Sequence, residues 1–368
     1  MSGSFRLGRL AGIDVFVHPT FALLLVWVAV SSGLQGRTVG AAAEGVALML
    51  VLFACIVLHE LGHALMARRF GIATKDITLL PIGGMARLER MPERPVQEFL
   101  VALAGPAVTL LIAVTLFAWL RLSGDWRPLE ALSVARGAFV EQIMVANVAL
   151  LLFNLLPAFP MDGGRVLRAI LAARTDYVSA TVRAASIGQG IAFLLALVGL
   201  FSNLFLVIVA FFIWIAAAEE AAAVQKRSAL AGVPVRAAMM TQLQTLTAAS
   251  TLGDAVELLL SGSQQDFPVL QRGELAGILT RRRLIGALAS HGREAAVGPL
   301  IEECPTATPD EPLEPMLTRL DVTSTRSVAV VDEGRLVGLV TLDNVGELLM
   351  VRAAARGGVV PPVVPPVS

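Results

Sequence analysis

Six stretches of this chain are apolar for long enough to cross, or nearly cross, a lipid bilayer: residues 15–33, 42–66, 98–120, 138–158, 188–202 and 204–218. A helix needs about 20 apolar residues to span the hydrocarbon, and there every backbone N–H and C=O must find its partner inside the protein. That requirement restricts the first 220 residues to a bundle of helices. Only Ser202 and Asn203 separate the last two runs, which read as a tight helical hairpin. The first run follows Arg6 and Arg9 as a signal peptide would, but it lacks a small-x-small cleavage site and further spans come at once, so it stays a transmembrane helix. Hydrophobic residues make up 56% of the chain and charged ones 16%, whereas a soluble domain carries about a quarter charged. The excess is uneven, because residues 221–352 have an ordinary soluble composition. The expected fold is a polytopic α-helical membrane protein of about six transmembrane helices with a soluble α/β tail.

Positive charge orients the bundle. Arg6 and Arg9 precede the first run, Arg68, Arg69, Lys75, Arg87, Arg90 and Arg94 follow the second, and Arg165, Arg168, Arg174 and Arg183 follow the fourth. The intervening loops carry Arg37, then Arg121, Arg127 and Arg136. Because cytoplasmic loops collect Arg and Lys, both termini and the tail are expected in the cytoplasm of a multi-pass cell-membrane protein. The second and fourth runs then both point inward, so residues near 60 and near 162 reach one depth. A net charge of zero and a pI near 6.9 give no electrostatic footprint for nucleic acid. Cys55 and Cys304 fall in different domains and imply no disulfide framework. Cys55, four residues before His59, could serve a metal, though a small buried residue is the commoner role.

The second run ends in "HELGH", residues 59–63, and carries two of the chain's four histidines. Ionisable side chains inside a span are expensive and default to a functional reading. On a helix, residues i and i+4 share a face, so His59 and His63 can offer both imidazoles to one cation. Zn²⁺ in a catalytic site takes three protein ligands and leaves the fourth position to water. The bound water's pKa falls to about 7, and Glu60 is placed to accept its proton. The pattern is that of a metal-dependent peptide hydrolase. A third ligand is still needed, and the candidate stretch is "FNLLPAFPMDGGRVLRAIL", residues 153–171: Asp162 brings a carboxylate, and Pro157, Pro160, Gly163 and Gly164 break the helix so the chain can turn it inward. His18 lies near the same depth and could line the site, though an interfacial histidine is the commoner role.

"HELGH" near the end of one transmembrane helix, with "NLLPAFPMDGGR" after a later one, resembles the site-2 protease family of intramembrane zinc metalloproteases. More narrowly, the chain is similar to the bacterial and archaeal branch with cystathionine-β-synthase-type (CBS) domains at the C-terminus. The resemblance implies one zinc per chain on His59, His63 and Asp162, Glu60 as general base, and Asn154 as a polar group near the scissile carbonyl. It implies a single-pass transmembrane protein as substrate, in contact with membrane lipid. A transmembrane helix must unwind before its carbonyls can be attacked, since they are tied into i→i−4 bonds. The segment "ITLLPIGGMARLER", 77–90, offers β-prone runs flanking Gly83–Gly84, a hairpin or re-entrant loop whose exposed edge could pair with the unwound segment. The small residues Ala104, Gly105 and Ala107 suit close helix packing.

The tail contains an internal repeat: residues from 266 align without gaps on residues from 327, matching Gly273 with Gly334, Gly277 with Gly338 and Thr280 with Thr341. Each unit reads helix, strand, turn, strand, helix, as expected of a CBS-type repeat. The expected domains are 1–220 in the membrane, a helical linker at 221–235, the CBS pair at 236–352 (about 236–290 and 297–352) and a Pro-rich disordered tail at 353–368. CBS resemblance implies adenine nucleotide (ATP, ADP or AMP), with Thr341 and Asp343 at the ribose. The first unit has Arg282 where an acid is expected, so a module that serves only to form a homodimer stands beside the nucleotide sensor. Two alternatives to the protease are a CBS-regulated transporter or channel and a relative that binds zinc without cleaving.

Overall fold

The computed structural model describes residues 4–34, 38–81, 83–92, 94–123, 138–322 and 325–355. Residues 356–368 of the expected tail, and Arg37, Arg127 and Arg136 from the charge count, lie outside the described residues. The chain divides into two compact units, 1–224 and 225–368.

In the first unit the elements are β1 (Phe5–Leu10), β2 (Ile13–Val17), α1 (Pro19–Leu34), α2 (Val39–Arg69), β3 (Thr74–Leu80), β4 (Gly83–Leu88), α3 (Pro95–Ser123), α4 (Phe139–Asn154), α5 (Asp162–Ala172), α6 (Tyr177–Ser202) and α7 (Leu204–Leu230). Helices α2, α3, α6 and α7 are long and apolar enough to cross a membrane, while α1 and α4 are apolar but shorter. The expected boundaries need three corrections. Residues 15–17 belong to a strand, because "IDVFV" alternates and buries Ile13 and Val15 beside β3. Residues 155–158 leave the helix as Pro157, which has no N–H to donate, is reached. The short terminal hairpin is two helices of 26 and 27 residues. Asp176 starts α6 well before its apolar run by accepting the Ser179 N–H, and the Ala- and Glu-rich segment after Trp214 prolongs α7. On α7, Leu204, Phe205, Ile208, Phe211 and Phe212 remain exposed, as a lipid-facing surface requires.

The four strands form one sheet in the order β1-β2-β3-β4, with β2 and β3 parallel and the other pairs antiparallel. β4 is an edge, and α2 packs against it as well as against β3, α3 and α4. The hairpin expected at 77–90 is present, but Gly83 and Gly84 open strand β4 instead of forming its turn. A Cβ on Gly84 would stand 2.8 Å from Glu60 Cγ and from Ile56 Cγ2, so glycine is what lets the strand reach the helix. Across the hairpin Arg87 pairs with Asp76, its Nε donating to Oδ1 at 2.8 Å. A Cβ at Gly62 would lie 2.8 Å from the Ala104 carbonyl oxygen, which marks the close approach of α2 and α3.

The second unit holds β5 (Leu246–Thr247), α8 (Leu252–Ser261), β6 (Phe267–Gln271), β7 (Glu274–Leu279), α9 (Arg281–His291), β8 (Thr306–Ala307), α10 (Leu313–Val322), β9 (Ser327–Asp332), β10 (Arg335–Thr341) and α11 (Leu342–Ala355). Two three-stranded sheets, β5-β6-β7 and β8-β9-β10, repeat one topology. The repetition extends to backbone detail. Both hairpins turn through two residues of positive φ, Arg272–Gly273 and Glu333–Gly334, and both ladders skip the equivalent residue, Ala276 or Val337, as a bulge. Phe267, Val269, Leu279 and Leu284 fill the first core, and Leu313, Val328, Val330 and Val340 fill the second.

Cys304 lies just before β8 in the second repeat, and burial pushes its thiol up to about 11. The reactive thiolate is therefore scarce at neutral pH. In the native chain at pH 8 Cys304 is expected to resist a water-soluble disulfide reagent and to react once denaturant unfolds the module. Stoichiometric labelling within seconds before denaturation would contradict this packing.

Candidate metal centre

His59 and His63 occupy successive turns on one face of α2 and are buried, with 4% and 5% of their surface exposed. Asp162, 7% exposed, is the first residue of α5. The tertiary fold brings the three together. His59 Nε2 and His63 Nε2 stand 3.2 Å and 3.1 Å from the same oxygen, Asp162 Oδ2, and 3.1 Å from each other.

The far sides of the imidazoles decide what those atoms are. His63 Nδ1 lies 2.7 Å from the Val101 carbonyl oxygen, which can only accept, so Nδ1 carries the proton. His59 Nδ1 lies 2.8 Å from Thr109 Oγ1. The Thr109 hydroxyl donates onward to the Gly105 carbonyl at 3.4 Å, which leaves its oxygen to accept from His59. In their neutral forms both imidazoles then present a lone pair at Nε2, and at 3.1 Å apart the two Nε2 atoms cannot both hold protons. Two imidazole nitrogens and a carboxylate oxygen thus face one another in a buried space with no donor of their own. A cation resolves that repulsion, and the donor set is one that Zn²⁺ accepts. The residues present fit the metal expected from the sequence.

Three local features hold this geometry. Gly105 forms the wall beside the imidazoles: a Cβ there would overlap the His63 ring and come within 2.7 Å of His59 Nε2. Gly163 and Gly164 let α5 start against the preceding turn, since a Cβ on either would collide with the backbone of residues 155–156 or 158–159. Ala86, on the β4 edge, donates its N–H to Glu60 Oε2 at 3.1 Å. Glu60 is half-buried and follows His59 directly in α2.

The other sequence candidates sit elsewhere. Asn154 is the last residue of α4, half-buried, eight positions before Asp162. His18 Nδ1 is 2.7 Å from Thr20 Oγ1 at the start of α1, and Cys55 is buried in α2; neither joins the three-donor cluster. Thr341 donates its hydroxyl to Asn344 Oδ1 at 2.8 Å and accepts the Asn344 N–H, closing the start of α11, with Asp343 exposed beside it. In the first repeat, Thr280 donates to Glu302 Oε2 at 2.6 Å, and Arg282 is exposed. Sequence reasoning took Gly105 for a packing residue and passed over Thr109, Val101 and Ala86. The one available signal was a glycine inside an apolar helix, unfavourable there by about 1 kcal/mol unless something approaches closely.

Peptidase family M50 matches residues 47–142 and 130–197, and the CBS domain matches residues 235–290 and 297–350. A zinc metalloprotease of Methanocaldococcus jannaschii is 30% identical over 346 residues, 94% of this chain and 96% of its own length. Rip3 of Mycobacterium tuberculosis is 33% identical over 380 residues, 97% of this chain and 95% of its own. The solved structure of a site-2 protease from M. jannaschii is 36% identical, covers 59% of this chain and 95% of its own, and superposes with a TM-score of 0.44.

Two substitutions test the metal centre. Gly105→Ala is expected to abolish stoichiometric zinc in purified protein, whereas Gly190→Ala, where a Cβ meets nothing within 4 Å, leaves it unchanged. Thr109→Val keeps the shape but removes the acceptor for His59 Nδ1. Its zinc affinity, measured by chelator competition, is expected to fall about 10- to 100-fold.

Proposed function

The chain belongs to peptidase family M50 and is a zinc metalloendopeptidase of the site-2 protease type with a pair of CBS domains, and on that footing we propose that it cuts a transmembrane segment of another membrane-bound protein. The observation that carries this reading is the buried convergence of His59 Nε2, His63 Nε2 and Asp162 Oδ2. These three residues would hold one zinc ion. Bound there, zinc supplies a Lewis acid for the scissile carbonyl and brings the pKa of its water to about 7.

Glu60 acts as general base. Its Oε2 accepts from Ala86, which aims the carboxylate, while Oε1 remains to take a proton from water and pass it to the leaving amine. Asn154, at the end of α4, orients the carbonyl of the bond to be cut. Among the described residues β4 is an edge strand beside Glu60, and an unwound substrate segment would add to it as a further strand, which delivers its carbonyls to the site in extended form. In this reading α1, α2, α3, α4, α6 and α7 all sit in the cell membrane, with both termini and the CBS pair in the cytoplasm, as the distribution of Arg and Lys supports. The substrate is a single-pass protein that shares the bilayer. The domains run 1–220, 221–235, 236–352 and 353–368, and the CBS pair takes adenine nucleotide at Thr341 and Asp343 and also forms a homodimer.

The decisive experiment pairs zinc content with cleavage of a model transmembrane substrate by the detergent-purified full chain. Wild type is expected to hold one zinc, and His59→Ala and Asp162→Ala to lose it. Glu60→Gln is expected to keep the zinc and lose about 10²- to 10⁴-fold in kcat. A wild-type chain purified without zinc, or a Glu60→Gln variant that cleaves normally, would overturn the assignment.

A further inference from the structure

Arg168 lies on α5 six residues beyond Asp162, and none of its surface is exposed. A charged side chain with no exposed surface is expensive unless it is paired. Here it is paired twice. Its Nε donates to Glu98 Oε1 at 2.7 Å and its Nη1 to Glu220 Oε1 at 2.5 Å. The guanidinium also lies 5.0 Å from the ring centroids of both Phe159 and Tyr177.

The partners are informative because of where they sit. Glu98 is on α3, three residues before Val101 and seven before Gly105, so the helix that anchors Arg168 is the one that seats both imidazoles through Val101, Gly105 and Thr109. Phe159, under the guanidinium, belongs to the turn that delivers Asp162. One side chain thereby grips α5 after the carboxylate and the turn before it, and fixes both to the helix behind the histidines. Glu220 adds α7 as a second anchor.

We propose that Arg168 is a positioning residue for the metal centre, the clamp that sets the distance between Asp162 and the two imidazoles. This rests on Asp162 being a zinc ligand. The clamp works by rigidity. A carboxylate on a helix free to shift leaves the metal more often, and supports behind a ligand are worth about 10- to 100-fold in affinity.

The test measures zinc release from the full detergent-purified chain to a strong chelator, alongside the melting temperature. The first variant, E98Q/R168M/E220Q, removes all three charges together and so leaves no unpaired ion buried. The second, E220Q, loosens only the outer end of the clamp, where Glu220 has 38% of its side chain exposed. The control is L120A, a buried cavity mutation on α3 eleven residues beyond Thr109. The triple variant is expected to release zinc about tenfold faster than wild type, E220Q to do so by a smaller factor, and L120A at the wild-type rate despite its lower melting temperature. Wild-type release from both clamp variants would overturn the proposal, as would equal acceleration in L120A. If the triple variant does not fold, E220Q against L120A decides. A wild-type chain without zinc would instead overturn the reading of Asp162 as a ligand, and this assignment with it.

Discussion

The three lone pairs that meet at His59, His63 and Asp162 are the constraint around which the membrane unit is arranged. Acceptors crowded at 3.1–3.2 Å in a buried space repel each other, and little water is there to screen them. Such a grouping persists only if its members are held from behind. Val101 and Thr109 hold the imidazoles by their far nitrogens. Gly105 gives them room, and Gly163 and Gly164 let the third donor approach. The close packing of α2, α3 and α5 is therefore a condition of the site as well as of the fold.

The sheet serves the same centre from another side. Among the described residues β4 pairs with β3 alone and ends the sheet. Its Ala86 N–H is directed at Glu60, and Gly84 removes the side chain that would hold strand and helix apart. An edge strand is ordinarily a liability that proteins blunt. Here the outward N–H of Ala86 is given to the carboxylate of Glu60, the residue that follows His59 in α2.

Much of this was legible in the sequence, for reasons that can be named. The histidine pair was legible because a four-residue spacing on a helix is a distance, and because ionisable groups in an apolar run need a reason to be there. The CBS repeat was legible because its turn glycines recur at one offset, and the backbone repeats with them down to the same bulge. What stayed hidden has no local signature. Gly105 looks like any small residue on a packing face, Thr109 like any helix threonine, and Val101 contributes a carbonyl that every residue possesses. β2 was absorbed into an apolar run because hydropathy alone does not distinguish a buried strand from the start of a helix.

The sequence alone determined that the chain is a helical membrane domain followed by two copies of an α/β repeat, and it named the three side chains that converge. Each conclusion rests on something one-dimensional: run length, period, spacing or recurrence. Only the tertiary structure decided that Asp162 meets the histidines through a single oxygen and that β4 aims a backbone amide at Glu60. It alone placed Arg168 so as to tie the carboxylate's helix to the one behind the imidazoles. Those are contacts between residues 26 to 103 positions apart, and no spacing along the chain encodes them. They arise when apolar helices pack closely and each buried polar group has to find a partner on whichever helix lies beside it.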